Sequence, residues 1–124
     1  MRETTIYVVD DDDGVRDSIR ILLECEGFDV VTFASCADFL HHARPDGSCC
    51  LVLDVHIPGM SGLQLLEAIR REGTIIPVVV ITGRLHPAIQ RSVDRAGVRL
   101  LEKPFAAGEL MSAIEEALRG GRLH

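Results

Sequence analysis

The sequence predicts an α/β fold in which five parallel strands form one sheet that is covered by helices on both faces. Segments with strand-like and helix-like patterns alternate along the chain and give the order βαβαβαβαβα. Four of the strand candidates are nearly continuous apolar runs, as expected when both faces of a parallel sheet are buried. The 124 residues fit one domain, and right-handed crossovers would make the sheet doubly wound.

The five predicted strands are short runs rich in Val, Ile, Leu and Phe. In chain order they cover residues 6–9, 28–33, 51–54, 77–82 and 98–102. Aromatic residues make up only 4% of the chain, so aliphatic side chains must fill the core. A chain of this length should bury roughly two-thirds of its unfolded surface, which is enough for a real core.

The five predicted helices have apolar residues at helical spacing and residues typical of helix ends. They cover about residues 13–26, 35–42, 62–72, 87–96 and a C-terminal stretch around residues 110–118. Ser61 and Gln64 have the spacing of a capping box at the start of the third helix. Pro87 suits the first position of the fourth helix, and Gly97 suits its end.

The composition argues against several functional classes. The chain has 19 acidic and 13 basic residues, a net charge of −6 without a basic cluster, so it is a poor nucleic-acid binder but a reasonable host for a cation. No stretch approaches the ~20 apolar residues of a membrane span, and the N-terminus leads directly into a strand without a signal peptide. We therefore expect a cytoplasmic protein with neither nucleic-acid nor membrane partners.

The cysteines lack the C-x-x-C spacing of metal sites and redox motifs. They are Cys25, Cys36, Cys49 and Cys50. We expect reduced, buried, cytosolic thiols, with a zinc site or a vicinal disulfide as the alternatives. If Cys49 and Cys50 lie in a strand, their side chains point to opposite faces of the sheet.

Four of the apolar runs end on polar residues that could take part in chemistry. Asp10 and Asp11 follow the first run, Asp54 the third, Thr82 the fourth and Lys103 the last. Because the carboxyl ends of parallel strands line the edge at which ligands bind, we expect these side chains to meet in one pocket. Carboxylates, a hydroxyl and an ammonium together suit a divalent cation and a phosphoryl group.

The acidic residues near the predicted strand ends are of two kinds. Asp12 and Asp13 are explained by the cap and first turn of the first helix. Acids at the end of a buried strand repel one another, and Mg²⁺ would relieve that repulsion. Asp54 is then a candidate nucleophile that takes the phosphoryl group as an acyl phosphate. Thr82 could donate to a phosphoryl oxygen, and Lys103 could pair with an aspartate or with that group.

These motifs resemble the receiver domain of two-component response regulators over essentially the whole chain. The resemblance is carried by Val8-Val9-Asp10-Asp11-Asp12, Leu53-Asp54, Ile57-Pro58-Gly59-Met60-Ser61-Gly62, Ile81-Thr82-Gly83 and Glu102-Lys103-Pro104-Phe105. Residues 15–18, 26–28 and 80–83 are similar in character to the receivers of FixJ-type transcriptional regulators. The resemblance implies a flavodoxin-like (βα)5 fold with the strand order 2-1-3-4-5.

The resemblance also implies a function in phosphorelay signal transduction. Residues 1–119 would be the receiver domain, and residues 120–124 a C-terminal tail or the start of a linker. A sensor histidine kinase or phosphotransfer protein would phosphorylate the domain, which could then form a homodimer. The face formed by the fourth helix, fifth strand and fifth helix would be the output surface. The domain would be no enzyme beyond catalysing its own phosphorylation and dephosphorylation.

The resemblance assigns a role to each residue of the pocket. Asp54 would accept the phosphoryl group in a Mg²⁺-dependent reaction, and Thr82 and Lys103 would bind its oxygens. Mn²⁺ can substitute for Mg²⁺ in such a site. The metal ligands would be Asp11 and Asp54 directly, Asp10 through water, and the main-chain carbonyl of His56.

The sequence departs from the family pattern at the fifth strand. Leu100 stands where the family usually has Phe or Tyr, so the usual aromatic rotamer switch cannot operate in its standard form. The segment from Arg84 to Pro87 is also slightly shorter than in FixJ-type receivers. His56 and Arg84 occupy positions that tune dephosphorylation in the family.

Two other functions fit parts of the sequence. Residues 11–15 match the D-x-D-G-[T/V] signature of haloacid-dehalogenase-type phosphatases, in which Asp11 would be the nucleophile. Such enzymes need a later strand that ends in an acidic pair, whereas Glu115 and Glu116 lie in the last predicted helix. The replacement at Leu100 leaves open a third function, a phosphorylation-independent interaction module with the receiver fold.

Overall fold

The computed structural model describes residues 4–120 and confirms the predicted order of elements. The strands are β1 (Thr5–Val9), β2 (Asp29–Phe33), β3 (Cys49–Asp54), β4 (Val78–Thr82) and β5 (Arg99–Glu102). The helices are α1 (Asp13–Cys25), α2 (Cys36–His42), α3 (Gly62–Arg71), α4 (Pro87–Ala96) and α5 (Ala107–Gly120). The strand β3 begins earlier than the apolar run alone indicated, because the two buried cysteines before it behave as small hydrophobic residues.

The five strands are parallel and lie in the order β2-β1-β3-β4-β5, which confirms the flavodoxin-like fold. The chain order reverses between β1 and β3, so these strands flank the switch point at which ligands bind in open α/β sheets. Val9 of β1 is paired with Leu53 of β3. The residues that follow this pair, Asp10 and Asp54, are therefore neighbours at the carboxyl edge.

The core has two layers, one on each face of the sheet. Successive residues of β1 and β3 belong to different layers, as the two-residue period of a strand requires. The buried residues of α1 and α5, such as Leu23 and Leu110, complete one layer. Those of α2, α3 and α4, such as Phe39, Leu65 and Val93, complete the other. Each fully buried side chain of this size contributes about 1.5–3 kcal/mol, which makes the sheet a firm support for its edge.

The predicted helix signals have their expected geometry. Ser61 and Gln64 form a reciprocal capping box at the start of α3, which directly follows the loop after Asp54. Pro87 occupies the first turn of α4, and Gly97 ends that helix in the left-handed conformation with φ of 71°. Within residues 4–120, none of the helices is both long and apolar enough to span a membrane.

All four cysteines are free, as predicted. Cys49 and Cys50 belong to the two different core layers and so point to opposite faces of β3. The prediction that every thiol is buried is wrong for Cys25, which is exposed. Because Cys25 lies two positions beyond the buried Leu23, it falls on the opposite side of α1.

Candidate functional site

The site lies at the carboxyl edge of the sheet, where the predicted residues converge. Asp10 directly follows β1, and Asp54 is the last residue of β3. Thr82 ends β4 and Lys103 follows β5 at the same edge. The structure brings Asp10, Asp54 and Lys103 into direct contact, and it places the carboxylate of Asp11 beside them.

The ammonium group of Lys103 joins the two buried carboxylates. Its Nζ lies 3.1 Å from Asp10 Oδ2 and 3.1 Å from Asp54 Oδ2. Asp10 is wholly buried and Asp54 nearly so, whereas the Lys103 side chain is 22% exposed. The peptide bond between Lys103 and Pro104 is cis. One cation thus serves two buried carboxylates, and the pocket carries excess negative charge.

The electrostatics of the pocket follow from burial and from this pairing. Burial raises the pKa of the Asp10 carboxyl and the charge of Asp54 adds to the rise, while hydrogen bonds from the Asp12 N–H and Lys103 oppose it. Burial alone would lower the pKa of Lys103. Its hydrogen bond to Asp10 and the charge of Asp54 outweigh burial, so that the pKa of Lys103 is raised and the ammonium stays charged.

The acidic cluster has the donor chemistry of a site for a hard cation. One carboxylate oxygen from each of Asp10, Asp11 and Asp54 lies within 4.8 Å of the other two. Among the described residues 4–120, this is the one group of acidic, His or Cys side chains so arranged. Mg²⁺ prefers oxygen ligands and keeps several waters. Two buried acids and an exposed Asp11 open to solvent therefore fit a partly hydrated Mg²⁺.

The loop after Asp54 is held close to the strand end. The His56 N–H donates to Asp54 Oδ1 at 3.1 Å, and the Gly62 N–H donates to the Val55 carbonyl at 3.1 Å. A Cβ on Gly62 would lie 2.2 Å from the Asp54 carbonyl oxygen. Only glycine therefore allows α3 to begin at this distance from the strand.

Gly62 was predicted as the first residue of the third helix, but its close approach to the strand was not predicted from the sequence. The signal was a glycine at the first helical position, directly after a serine cap, where a residue with better helix propensity would ordinarily stand. A role for Arg16 was not predicted either, although its Nη1 donates to the Asp10 carbonyl at 2.7 Å. Its place three residues after Asp13, less than one helical turn from the end of the acidic run, was the available signal.

The Thr82 hydroxyl is engaged outside the acidic cluster. Thr82 is fully buried, and its Oγ1 donates to the Arg84 carbonyl at 3.0 Å and accepts the Arg84 N–H at 3.1 Å. The same carbonyl lies 3.2 Å from Nε2 of His56. The structure thus places Thr82 at the predicted edge, but it pairs the hydroxyl with the loop before α4 and not with Asp54 or Lys103.

Residue 100 lies on β5 and is a leucine, so this position has no aromatic ring. Leu100 is half-buried, pairs with Val80 and packs against the core layer of α2, α3 and α4. The aromatic contacts among Tyr7, Phe33 and Phe39 lie instead near the β2 side of the sheet. A rotamer change of a ring at position 100 is therefore excluded as a response to the site.

Residues 6–115 match the family described as the response regulator receiver domain. The chain belongs to this family. It is 37% identical over 114 residues to the transcriptional regulatory protein FixJ of Azorhizobium caulinodans, covering 91% of this chain and 54% of the relative. It is also 37% identical over 118 residues to nodulation protein W of Bradyrhizobium diazoefficiens, covering 94% of this chain and 52% of the relative.

The solved structures support the same family and fold. The FixJ-N crystal structure superposes with a TM-score of 0.87 at 35% identity and covers 96% of each chain. This receiver spans about half the length of the curated relatives that it matches. Receiver domains are signalling domains of two-component systems, and they bind Mg²⁺ at an acidic pocket. They interact with histidine kinases or phosphotransfer proteins.

Proposed function

We propose that this receiver accepts a phosphoryl group on Asp54 from a sensor histidine kinase or a phosphotransfer protein, in a Mg²⁺-dependent reaction. One observation carries the proposal. Lys103 Nζ is 3.1 Å from both Asp10 Oδ2 and Asp54 Oδ2, while Asp11 completes a cluster of carboxylates. Such a pocket offers a nucleophile, a cation for the phosphoryl oxygens and a place for a metal ion.

The metal would be held by oxygen atoms alone. Asp11 and Asp54 would bind Mg²⁺ directly, Asp10 would bind it through water, and the main-chain carbonyl of His56 would be the third direct protein ligand. When bound, Mg²⁺ or Mn²⁺ neutralises charge on the incoming phosphoryl group and aligns it. The exposure of Asp11 leaves this side open for the entry of a hydrated ion.

The phosphoryl transfer is a displacement at phosphorus. A carboxylate oxygen of Asp54 attacks, and the new O–P bond makes an acyl phosphate. The bond between phosphorus and the donor nitrogen breaks, and its electron pair leaves with the imidazole of the donor histidine. Lys103 keeps its hydrogen bond to Asp10 and donates to a phosphoryl oxygen in place of Asp54. Thr82 donates to another oxygen after its hydroxyl leaves Arg84.

The same residues support the wider role of the domain. We infer that it catalyses its own phosphorylation from small phosphodonors and its own dephosphorylation, and that the face of α4, β5 and α5 is the output surface. Because Leu100 has no ring, the movement of Thr82 and its loop would carry the signal. A homodimer on phosphorylation, a cytoplasmic location and the absence of nucleic-acid and membrane partners belong to the same proposal.

The proposed receiver unit comprises residues 1–119, with residues 120–124 as a tail or the start of a linker. The helix α5 runs through Gly120, and residues 121–124 lie outside the described part of the chain. The phosphatase alternative gains no support, because Glu115 and Glu116 lie within α5 and not at the end of a strand. The described chain after β5 contains no further strand.

The test is the response of the amide spectrum to beryllofluoride, a mimic of the phosphoryl group, with millimolar Mg²⁺. Wild type should show shifts around Asp54, Thr82 and α4. Asp54→Ala should show none, because the carboxylate that binds beryllium is gone. A wild-type spectrum that does not change would overturn the proposal and favour the phosphorylation-independent interaction module.

A further inference from the structure

Arg16 is a cationic side chain of α1 that is bound into the turn after β1. Its Nη1 donates to the main-chain carbonyl of Asp10 at 2.7 Å, and its Nη2 pairs with the Asp13 carboxylate. The Arg16 side chain is only 15% exposed. A charged side chain so well covered and aimed at a main-chain carbonyl acts as a structural clamp and not as a freely solvated surface charge.

The turn that Arg16 binds is anchored on both sides of Asp11. The Asp10 N–H donates to the Phe33 carbonyl at 3.2 Å, and Asp10 Oδ1 accepts the Asp12 N–H at 2.9 Å. Asp12 also caps α1, accepting the Val15 N–H at 3.0 Å. Asp11 stands between these two fixed residues, so the direction of the main chain through the turn decides where its carboxylate lies.

We infer that Arg16 is a positioning residue for the metal site. It holds the Asp10 carbonyl and Asp13 together, and thereby keeps the Asp11 carboxylate with those of Asp10 and Asp54. The inference rests on the proposed function, because it concerns the Mg²⁺ site that phosphorylation requires. Residues that hydrogen-bond to a metal ligand commonly decide how tightly the metal is bound, because they fix the orientation of that ligand.

The charge of Arg16 and its hydrogen bonds predict opposite effects on Mg²⁺ affinity. If only the positive charge mattered, removing it would tighten binding, because a cation beside the site repels the metal. If the hydrogen bonds position Asp11, removing them weakens binding even though a repulsive charge has gone. The sign of the change therefore separates the two roles.

The experiment is a calorimetric titration of the full chain with Mg²⁺ alone, well below the melting temperature. Arg16→Gln should raise the Mg²⁺ dissociation constant roughly tenfold, the lower end of the range for residues behind metal ligands. Arg16→Lys keeps the charge but loses the planar fork that spans two acceptors, so it should also bind more weakly than wild type.

Arg20→Gln is the matched control, because Arg20 lies on the same helix and, within residues 4–120, its side chain pairs only with Asp17 and Glu24. Its Mg²⁺ affinity should equal that of wild type. The amide spectrum checks that each variant is folded, and thermal melting measures any loss of stability separately. A variant that melts earlier but binds Mg²⁺ like wild type would show a merely structural role and overturn the inference.

Asp11→Asn separates failure of the inference from failure of the proposed function. If Asp11→Asn loses affinity while Arg16→Gln binds as tightly as wild type or more tightly, the inference is wrong and the metal site stands. If wild type does not bind Mg²⁺, both are wrong. If Arg16→Gln does not fold, Arg16→Lys decides, and wild-type affinity in that variant overturns the inference.

Discussion

The site has two halves that differ in their contacts. The first comprises the carboxylates at the ends of β1 and β3 with Lys103, and the second is the Thr82 hydroxyl at the end of β4. At the ends of β1 and β3, Asp10 and Asp54 share the ammonium of Lys103. At the end of β4, the Thr82 hydroxyl is paired with the Arg84 main chain and takes no part in that cluster. Asp54 and Lys103 are thus preorganised, whereas Thr82, which would report phosphorylation to α4 in the proposed function, must change partners to do so.

The largest effect on stability should come from removing the ammonium group of Lys103. Lys103→Met leaves two buried carboxylates without a counter-charge, so we expect the free energy of unfolding to fall by about 3 kcal/mol. Urea denaturation without Mg²⁺ measures the loss. The control is Arg99→Met, which removes an exposed ion pair with Glu116 and should cost less than about 1 kcal/mol. Equal losses in the two variants would contradict the importance of the buried pairing.

The next effect concerns the close approach of α3. Gly62→Ala places a Cβ 2.2 Å from the Asp54 carbonyl oxygen, so the strand end or the helix must shift. We expect a loss of about 1–3 kcal/mol, typical of overpacking, and slower phosphorylation by acetyl phosphate. Gly83→Ala is the matched control, because a Cβ there meets only Lys103 Cδ at 3.9 Å. If Gly62→Ala is phosphorylated as fast as Gly83→Ala and wild type, Gly62 does not hold Asp54 in place.

The buried carboxylate of Asp10 should make stability depend on pH. Burial raises the pKa of Asp10 above its ordinary value of 3.8, so the folded protein holds this proton more tightly than the unfolded chain does. The contribution of Asp10 to stability therefore falls as pH rises from 3.8 through the raised pKa, and it is constant above that. Urea midpoints of wild type and Asp10→Asn across this range measure it. A wild-type advantage that grows with pH would contradict the dominance of burial.

The smallest effect on stability is expected in the other half of the site. Thr82→Val removes the hydroxyl that serves the Arg84 main chain, at a cost of about 1 kcal/mol. Asp54 should still be phosphorylated, but the amide shifts in α4 should shrink. Thr82→Ser keeps the hydroxyl and should behave like wild type in both respects. Unchanged α4 shifts in Thr82→Val would mean that the signal leaves the site by another route.

The convergence of the site could be predicted because it depends on topology alone. Polar residues after parallel strands must share one edge, and this placed Asp10, Asp54, Thr82 and Lys103 correctly. The partner of the Thr82 hydroxyl could not be predicted, because it depends on the path of the loop through Arg84. Strand order came from the family resemblance and not from the apolar pattern.

Two contributions to the site were missed for the same physical reason. Gly62 and Arg16 act on main-chain carbonyl oxygens, and the signals in the sequence, a glycine after a serine cap and an arginine after an acidic run, do not show where a carbonyl points. The exposure of Cys25 was missed because a cysteine was treated as buried by type, without regard to its place on the helix. Patterns of side chains therefore predicted which groups meet in the pocket better than they predicted the scaffold that positions those groups.

The most direct test of the central claim is the position of the label after incubation with radiolabelled acetyl phosphate and Mg²⁺. We expect wild type to carry an acid-stable, base-labile label on Asp54, and we expect a chelator to prevent labelling. Asp54→Asn should remain unlabelled, whereas Asp11→Asn should be labelled only weakly because its metal site is incomplete. Full labelling of Asp54→Asn, or a label that maps to Asp11, would contradict the account.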